Sequence, residues 1–279
     1  MSAVHLPDDP SLERLRNEAR DLQRSARAGE SSALALVEDL HPNGELVDTT
    51  RLKLSAAQLV VARRYGFASW PALKRHLDLL TRYSWVPDAS GTDADEPAAD
   101  RLCRLACLWY REDGPSRWAA ARRLLAERPT LSGANIWTAA VTGDLAATER
   151  LLADDPSLAS RRGGPFGWCP LAYLAYSRLD ATIAAEPVLG VARMLLEAGA
   201  DPNEGYLWHG LPTPFTLLTG ALGHGELGPD NQPPHPHSIA LARMLLDAGA
   251  DPNDGQALYN RMFQPDDDHL ALLLEYGLG

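Results

Sequence analysis

The stretch of sequence that decides the fold is ARMLLEAGADPNEG at residues 192–205, because it recurs as ARMLLDAGADPNDG at residues 242–255. Twelve of the fourteen positions are identical, and the two differences exchange Glu for Asp. The two copies lie 50 residues apart. Self-similarity of this kind is typical of proteins that are built from stacked structural repeats.

Each copy has the pattern of a short amphipathic helix followed by a stop. In the first copy, Met194, Leu195 and Leu196 supply the apolar face of the helix. Gly199 suits the left-handed backbone that closes a helix, and Pro202 prevents the helix from resuming. The sequence therefore predicts two helices that end in the same turn.

These residues resemble the ankyrin repeat, whose second helix ends in a Leu-Leu-x-x-Gly-Ala-Asp-x-Asn signature. Residues 139–144 resemble the turn between the two helices of that repeat. Cys169-Pro170-Leu171 and Thr213-Pro214-Phe215 resemble its Thr-Pro-Leu start. The resemblance implies an all-α fold of the bacterial ankyrin-repeat type, with a solenoid of about five irregular helix pairs over residues 100–279.

The spacing of the two copies departs from the family pattern. An ankyrin unit has about 33 residues, so the observed offset implies about 17 extra residues. We assign the surplus to two insertions between first and second helices, at residues 178–187 and 223–237. The usual His after Thr-Pro-Leu is replaced by Ala172 and Thr216, so regular stacking is less certain there.

The chain before the repeats predicts a separate helical module at residues 1–83. Apolar residues recur there at helical spacing from Leu12 to Ala26. Residues 58–77 resemble a helical module that precedes ankyrin repeats in many bacterial proteins, and this resemblance implies no activity. Residues 84–99 are rich in Pro, Gly, Ser and acidic residues, which predicts an acidic linker.

The distribution of charge constrains the partner. Residues 84–279 contain 14 basic and 26 acidic residues, whereas residues 1–83 are nearly balanced. This acidity disfavours nucleic acid and is compatible with a basic protein partner, although solubility alone would also explain it. No apolar stretch could span a bilayer, and the N-terminus has no basic-then-apolar signal pattern. We therefore predict a cytoplasmic protein without a membrane partner.

Catalytic motifs are not recognisable in this sequence. It contains no phosphate-binding Gly-rich loop, no nucleophile elbow and no His-Glu-x-x-His zinc helix. Cys103 and Cys107 are one helical turn apart and could share a metal, but small buried thiols are the more common reading. We predict no metal and no cofactor, and the pattern does not favour an enzyme.

Histidines concentrate in one part of the chain, which leaves a second interpretation open. A catalytic site or small-molecule pocket could form from Trp208 and the insertion at residues 223–237. The other explanation for these histidines is loop structure and capping of the helix that follows. The candidate residues for this alternative site are His209, His224, His235, His237 and Asp230.

Aromatic residues favour a different site. Alignment of the units on Thr-Pro-Leu places Trp168 and Tyr176 at family positions that face the concave surface. Trp208 and His209 fall in the projecting turn after Gly-Ala-Asp-Pro-Asn. Exposed aromatics at such positions are typical anchors for a partner, whereas large insertions could instead bury them. The leading hypothesis is a module that binds a protein through its concave face.

The end of the chain is apolar, with LALLLEYGLG at residues 270–279. A repeat stack buries the apolar side of each unit against the next and normally ends in a polar cap. We expect some of the leucines here to be partly exposed, which predicts weak self-association through the last helix pair. These leucines are Leu270, Leu273, Leu274 and Leu278.

Overall fold

The computed structural model describes residues 6, 10–83, 95–179, 184–208 and 213–279. The chain divides into two units, Met1–Arg82 and Tyr83–Gly279. Both are mostly helical, as the sequence predicts. Most of the predicted linker, residues 84–94, lies outside the described residues. None of the helices described for this chain has the length and hydrophobicity that crossing a bilayer requires.

The first unit packs four helices around buried leucine, valine and alanine side chains. On α1 the buried residues Leu15, Ala19 and Ala26 are spaced by four and seven positions, which places them on one helix face. That face packs on α3 through Val61 and Ala62. The helices are α1 (Leu12–Arg27), α2 (Ser31–Leu40), α3 (Leu54–Arg64) and α4 (Trp70–Arg82).

The second unit contains helices that follow one another in pairs. The first helices of the pairs are α5 (Ala98–Ala106), α7 (Ile136–Thr142), α9 (Pro170–Ala175), α11 (Leu217–Leu222) and α13 (Gly255–Arg261). The second helices are α6 (Pro115–Glu127), α8 (Leu145–Asp154), α10 (Ala185–Glu197), α12 (Ser238–Asp247) and α14 (Asp268–Glu275).

These helices form two layers. The first helices pack against each other in chain order, and α8, α10, α12 and α14 do the same. Every residue of α9 and α11 is buried, because these short helices have neighbours on several sides. The main core lies between the layers and includes Leu171, Leu195 and Leu245.

The turn predicted from the repeated sequence is present in both copies. Gly199 follows α10 with φ of 96°, and Gly249 follows α12 with φ of 97°. In the first copy the Ala200 N–H donates to the Leu195 carbonyl at 3.0 Å, and the second copy makes the same bond. This pattern is the glycine-closed helix end that the sequence predicts.

An asparagine in this turn connects neighbouring turns. Asn203 Nδ2 donates to the Gly249 carbonyl at 2.9 Å, and its Oδ1 accepts from the Asp251 N–H at 2.8 Å. At the second copy, Asn253 Oδ1 accepts from the Gly279 N–H at 3.1 Å. The Asn of the repeated sequence therefore bonds to the turn that follows it.

A short β-hairpin follows the first copy and was not predicted. Strand β1 (Gly205–Leu207) pairs antiparallel with β2 (Pro214–Thr216), with Tyr206 opposite Phe215. The hairpin carries Trp208 directly after β1, whereas residues 209–212 lie outside the described residues.

The last helix exposes part of its apolar surface. Leu274 is 62% exposed, and Leu270 and Leu278 are half-buried. Leu273 is fully buried, because α14 packs this side chain into the main core beside α12. Some of the four leucines are therefore partly exposed, as expected, with the greatest exposure at Leu274 and none at Leu273.

We expect Leu274→Glu to reduce self-association. A carboxylate in a buried contact must lose its hydration, so any weak dimer formed through α14 should weaken about tenfold or more. Sedimentation velocity over a range of concentrations measures this. Leu46→Glu is the control, because Leu46 is also an exposed leucine but belongs to the first unit. A parent chain that sediments as a monomer at every concentration would contradict the prediction.

Candidate functional site

A cavity of about 380 Å³ opens on the second unit. Four parts of the chain surround it: the segment that follows α5, the β-hairpin, the insertion at residues 223–237, and α13. Its volume lies within the range of small-molecule sites, about 300–1,000 Å³. The aromatic residues that line it are Tyr110, Trp208, Phe215 and Tyr259. Its charged and amide lining residues are Glu226, Gln232, Gln256 and Asn260.

Tyr110 is held in place by a buried carboxylate. Asp113 accepts hydrogen bonds from the N–H groups of Trp109 and Arg111, each at 3.2 Å, and forms an ion pair with Arg117 at 2.8 Å. These bonds close a bend in which Tyr110 has φ of 63°, a left-handed conformation that is unusual for tyrosine. Burial raises the pKa of Asp113, and the charge of Arg117 acts in the opposite direction.

The aromatic wall is fixed by contacts over long sequence distances. The ring of Tyr110 lies edge-on to Phe215, with centroids 4.8 Å apart. Trp208 Nε1 donates to the Tyr110 carbonyl at 3.2 Å, and its ring stacks on Phe215 at 6.3 Å. The bend after α5 and the hairpin therefore form one continuous wall.

The insertion also lines the cavity and packs closely on that wall. Gln232 Oε1 accepts from the Leu227 N–H at 2.9 Å, which closes the insertion on itself. Gly225 has φ of 149°. A Cβ atom there would lie 2.3 Å from Gln232 Oε1 and 3.2 Å from the Tyr110 ring. Only glycine permits this approach without displacing its neighbours.

The mouth of the cavity combines a carboxylate with exposed apolar groups. The Tyr259 hydroxyl donates to Glu226 Oε1 at 2.5 Å and so joins α13 to the insertion. This hydrogen bond raises the pKa of Tyr259. Leu227, Tyr259 and Phe263 are 52%, 45% and 41% exposed. We call these three residues the rim.

Behind the wall lie two buried polar groups without a hydrogen-bond partner among the described residues, Tyr110 Oη and Asn260 Nδ2. Asn260 Oδ1 accepts from Gln256 Nε2 at 2.8 Å. Burial raises the pKa of Tyr110, and the nearby Asn260 amide acts in the opposite direction. The amide is near enough to affect the phenol, but the distance and angle between them do not form a hydrogen bond.

Arg178 anchors the insertion from inside the unit. Its guanidinium donates to the carbonyls of Pro233, Gly220 and Ser177 at 2.7–2.8 Å and to that of Ala175 at 3.3 Å. Pro233 belongs to the insertion and Gly220 to α11. Burial lowers the pKa of Arg178 to about 10. The cation is thus satisfied mainly by backbone oxygens, which bind the insertion to the helices beneath it.

The two aromatics predicted as exposed anchors are buried. Trp168 is 3% exposed and Tyr176 is fully buried. Tyr206 of the hairpin stacks on Trp168 at 4.7 Å and lies edge-on to Tyr176 at 5.5 Å, and the Tyr176 hydroxyl donates to the Thr216 carbonyl at 2.6 Å. The prediction of accessible anchors is therefore wrong at both positions, because the hairpin covers them. Trp208 lines the cavity, and His209 lies outside the described residues.

The remaining histidines of the alternative site do not line the cavity. His224 and His235 are buried, and His235 Nδ1 accepts from the His237 N–H at 3.0 Å. His235 and His237 border a void of about 10 Å³, which has room for about one water. Asp230 is exposed and is not part of the cavity wall. This arrangement favours a loop-forming role for these residues.

These buried histidines predict loss of stability in mild acid. Burial lowers the pKa of His224 to about 4 and that of His235 well below its usual value. Below about pH 6.5 the unfolded chain then binds protons that the folded chain excludes, so stability falls as the pH falls. We expect the thermal midpoint to decrease from pH 7.5 to 5.5.

The matched variant for this prediction is His235→Asn. Its amide oxygen can accept the His237 N–H in place of Nδ1 but takes up no proton in this range. The decrease in thermal midpoint between pH 7.5 and 5.5 should be smaller in this variant than in the parent. Equal slopes for parent and variant would contradict the explanation.

One group of potential metal ligands occurs among the described residues. Asp266, Asp268 and His269 place their ligand atoms within 4.8 Å of one another. The Arg261 guanidinium forms ion pairs with both carboxylates, so part of their charge is already compensated. Burial raises the pKa of the thiols of Cys103 and Cys107, which disfavours thiolate chemistry there. That no metal binds remains a prediction.

Comparison with protein families finds none that matches this chain. Comparisons with curated proteins and with solved structures also find no match. The function is therefore argued from the site itself.

Proposed function

We propose that this chain is a binding module of the ankyrin-repeat type, and that it recognises a basic protein partner through the cavity and its rim. The observation that carries the proposal is the clustering of exposed apolar side chains around a cavity mouth. Leu227 comes from the insertion, and Tyr259 and Phe263 come from a separate part of the chain. Leu227 and Tyr259 line the cavity, and the Phe263 ring contacts that of Tyr259. Clustered exposed apolar residues are typical of interaction sites.

The ankyrin assignment is supported by the arrangement of helices and turns. Helix pairs stack in two layers, and the repeated Gly-Ala-Asp-Pro-Asn turns close their helices in the same way. The Asn of each turn bonds to the next turn, as expected if neighbouring units share one geometry. Three buried free cysteines are in keeping with the reducing cytoplasm.

Charge supports the choice of partner. Residues 84–279 carry a formal net charge of −12, from 14 basic and 26 acidic residues. Such a surface attracts basic proteins and repels nucleic acid. The concave-face hypothesis changes in one respect: Trp168 and Tyr176 are covered, so recognition is assigned to Trp208 and the rim.

Binding explains the cavity better than catalysis does. Among its described lining residues, the ionisable groups are Glu226, Tyr110 and Tyr259. Glu226 is bonded to Tyr259, and the Tyr110 hydroxyl is buried. In this set the Tyr259 hydroxyl lies beside the Glu226 carboxylate, but the pKa of Tyr259 is raised by that hydrogen bond, which disfavours the phenolate that nucleophilic catalysis would need.

The test compares two matched charge substitutions in capture from the native cell lysate. We expect Phe263→Asp to reduce recovery of the partner more than tenfold, because a carboxylate would replace an apolar contact at the rim. Leu274→Asp places the same charge at an exposed residue of α14 and should leave recovery unchanged. Both variants should keep the thermal midpoint of the parent. Loss of the partner in Leu274→Asp but not in Phe263→Asp would contradict the proposal.

A small-molecule binder is the second candidate, favoured by the volume of the cavity and its amide lining. Native mass spectrometry of the purified chain distinguishes the two. A bound small molecule that is lost in Trp208→Ala would favour this candidate over a protein partner.

A further inference from the structure

The lining of the cavity suits one class of ligand group. Tyr110, Trp208, Phe215 and Tyr259 come from three different segments and line the same space. The faces of aromatic rings carry partial negative charge, so a cation within about 6 Å of a ring is attracted to it. An alkyl stem attached to such a cation would at the same time replace water on the apolar parts of these rings.

Glu226 adds a full negative charge at the mouth of the cavity. Its carboxylate is held by the Tyr259 hydroxyl, so it is fixed beside one of the rings. A purely apolar ligand would displace water from this carboxylate and from the amides of Gln232 and Gln256 without replacing the hydrogen bonds of that water. An anionic ligand would meet the carboxylate and the aromatic rings together, with no cationic side chain in the described lining to attract it.

Basic residues lie near the cavity but not in its described wall. Arg178 is the cation whose charge acts to lower the pKa of Tyr110, and its guanidinium donates hydrogen bonds to four backbone carbonyls. The carboxylates of Asp113 and Asp254 act on the same tyrosine with the opposite sign. The positive charge behind the wall is therefore offset.

We propose that this cavity binds a cationic group on an alkyl stem, either an alkylammonium or a guanidinium. This inference rests on the proposed function and gives it a chemical basis, because Lys and Arg side chains of a basic partner carry such groups. A free amine of similar size has the same chemistry, and the experiment separates the two sources.

The test uses a matched pair of probes, choline and 3,3-dimethyl-1-butanol. They have the same shape and differ in a charged nitrogen against a neutral carbon. Ligand-observed NMR titration of the full chain should show that choline binds about 2- to 30-fold more tightly, the range expected for a cation over aromatic rings. Equal or tighter binding of the neutral alcohol would overturn the proposal.

Two substitutions show whether the preference arises in this cavity. Glu226→Gln keeps an oxygen that can accept from Tyr259 but removes the charge, so it should weaken choline and leave the alcohol unchanged. Glu149→Gln removes the same charge from an exposed residue of α8 and should change the binding of neither probe. Trp208→Ala should weaken both probes. A cation preference that is unchanged in both Glu226→Gln and Trp208→Ala would place it elsewhere and overturn the proposal.

Peptides identify the source of the cation. Peptides with a central Lys or Arg that bind more tightly than choline indicate a protein partner, whereas tighter binding of the free amine indicates a small molecule. The result is separable from the proposed function. If Phe263→Asp abolishes partner capture but no cation preference exists, only this inference fails. If the preference exists but capture does not depend on the rim, only the proposed function fails.

Discussion

Replacing Arg178 by Met is expected to lower the free energy of unfolding of the second unit by about 3–5 kcal/mol. Methionine fills a similar volume but donates no hydrogen bond, so the four carbonyls that accept from the guanidinium lose this donor. Each buried polar group left unsatisfied costs about 1–3 kcal/mol, and removal of the buried charge offsets part of this.

The effect should be concentrated in the insertion. The bond from Arg178 Nε to Pro233 connects residues 223–237 to the helices beneath them. Hydrogen exchange in this insertion should therefore be faster in Arg178→Met than in the parent. Cavity binding should weaken as well, because Glu226 and Gln232 are carried by the same insertion.

Urea denaturation followed by tryptophan fluorescence measures the change in stability. Six of the seven tryptophans lie in the second unit, so the signal reports mainly on that unit. Arg193→Met is the control, because Arg193 is an exposed arginine of α10. A loss below about 1 kcal/mol with unchanged exchange in the insertion would show that Arg178 does not hold it.

The features that sequence predicted well depend on local chemistry. The turn at Gly199 and Gly249 follows from residues within a few positions of each other, because glycine there permits a left-handed backbone and the helix before it is amphipathic. Leu274, one of the four leucines expected to be partly exposed because the last helix is apolar, is indeed exposed. Such features need no knowledge of distant segments.

The features that sequence predicted poorly depend on distant contacts. The family pattern places Trp168 and Tyr176 on an accessible face, but Tyr206 and Thr216 of the distant hairpin cover them. Their burial could not be deduced from their own neighbours in sequence. A family pattern predicts which side of a repeat a residue faces, but it does not predict what an irregular segment places on that side.

Only part of the cavity could be predicted from the sequence. Trp208 and the insertion were singled out, and both line it. Tyr110 and Asn260 had no signal in the sequence, because the wall forms through a bond between residues 98 positions apart. One local signal was overlooked. Gly223, His224 and Gly225 all have positive φ, so a Gly-His-Gly run after a helix indicates a tightly packed turn rather than a histidine site.

The packing of the repeat predicts a second large loss of stability, in the variant Leu245→Ala. Leu245 is fully buried on α12, and this helix packs against α10, α11 and α14. Truncation to alanine removes apolar contacts on several sides and leaves a cavity that a tightly surrounded helix cannot easily close. Replacing a buried leucine by alanine in such a setting lowers the free energy of unfolding by about 2–5 kcal/mol.

The design of this measurement uses residues that the repeat itself supplies. Leu195 occupies the same place on α10, is also fully buried, and should give a loss of the same size in Leu195→Ala. Leu274→Ala is the exposed control and should change the free energy of unfolding by less than about 0.5 kcal/mol. If Leu245→Ala also lowers the free energy of unfolding by less than about 0.5 kcal/mol, α12 does not pack as a buried second helix. A large loss at Leu245 with none at Leu195 would mean instead that the two sequence copies are not structurally equivalent.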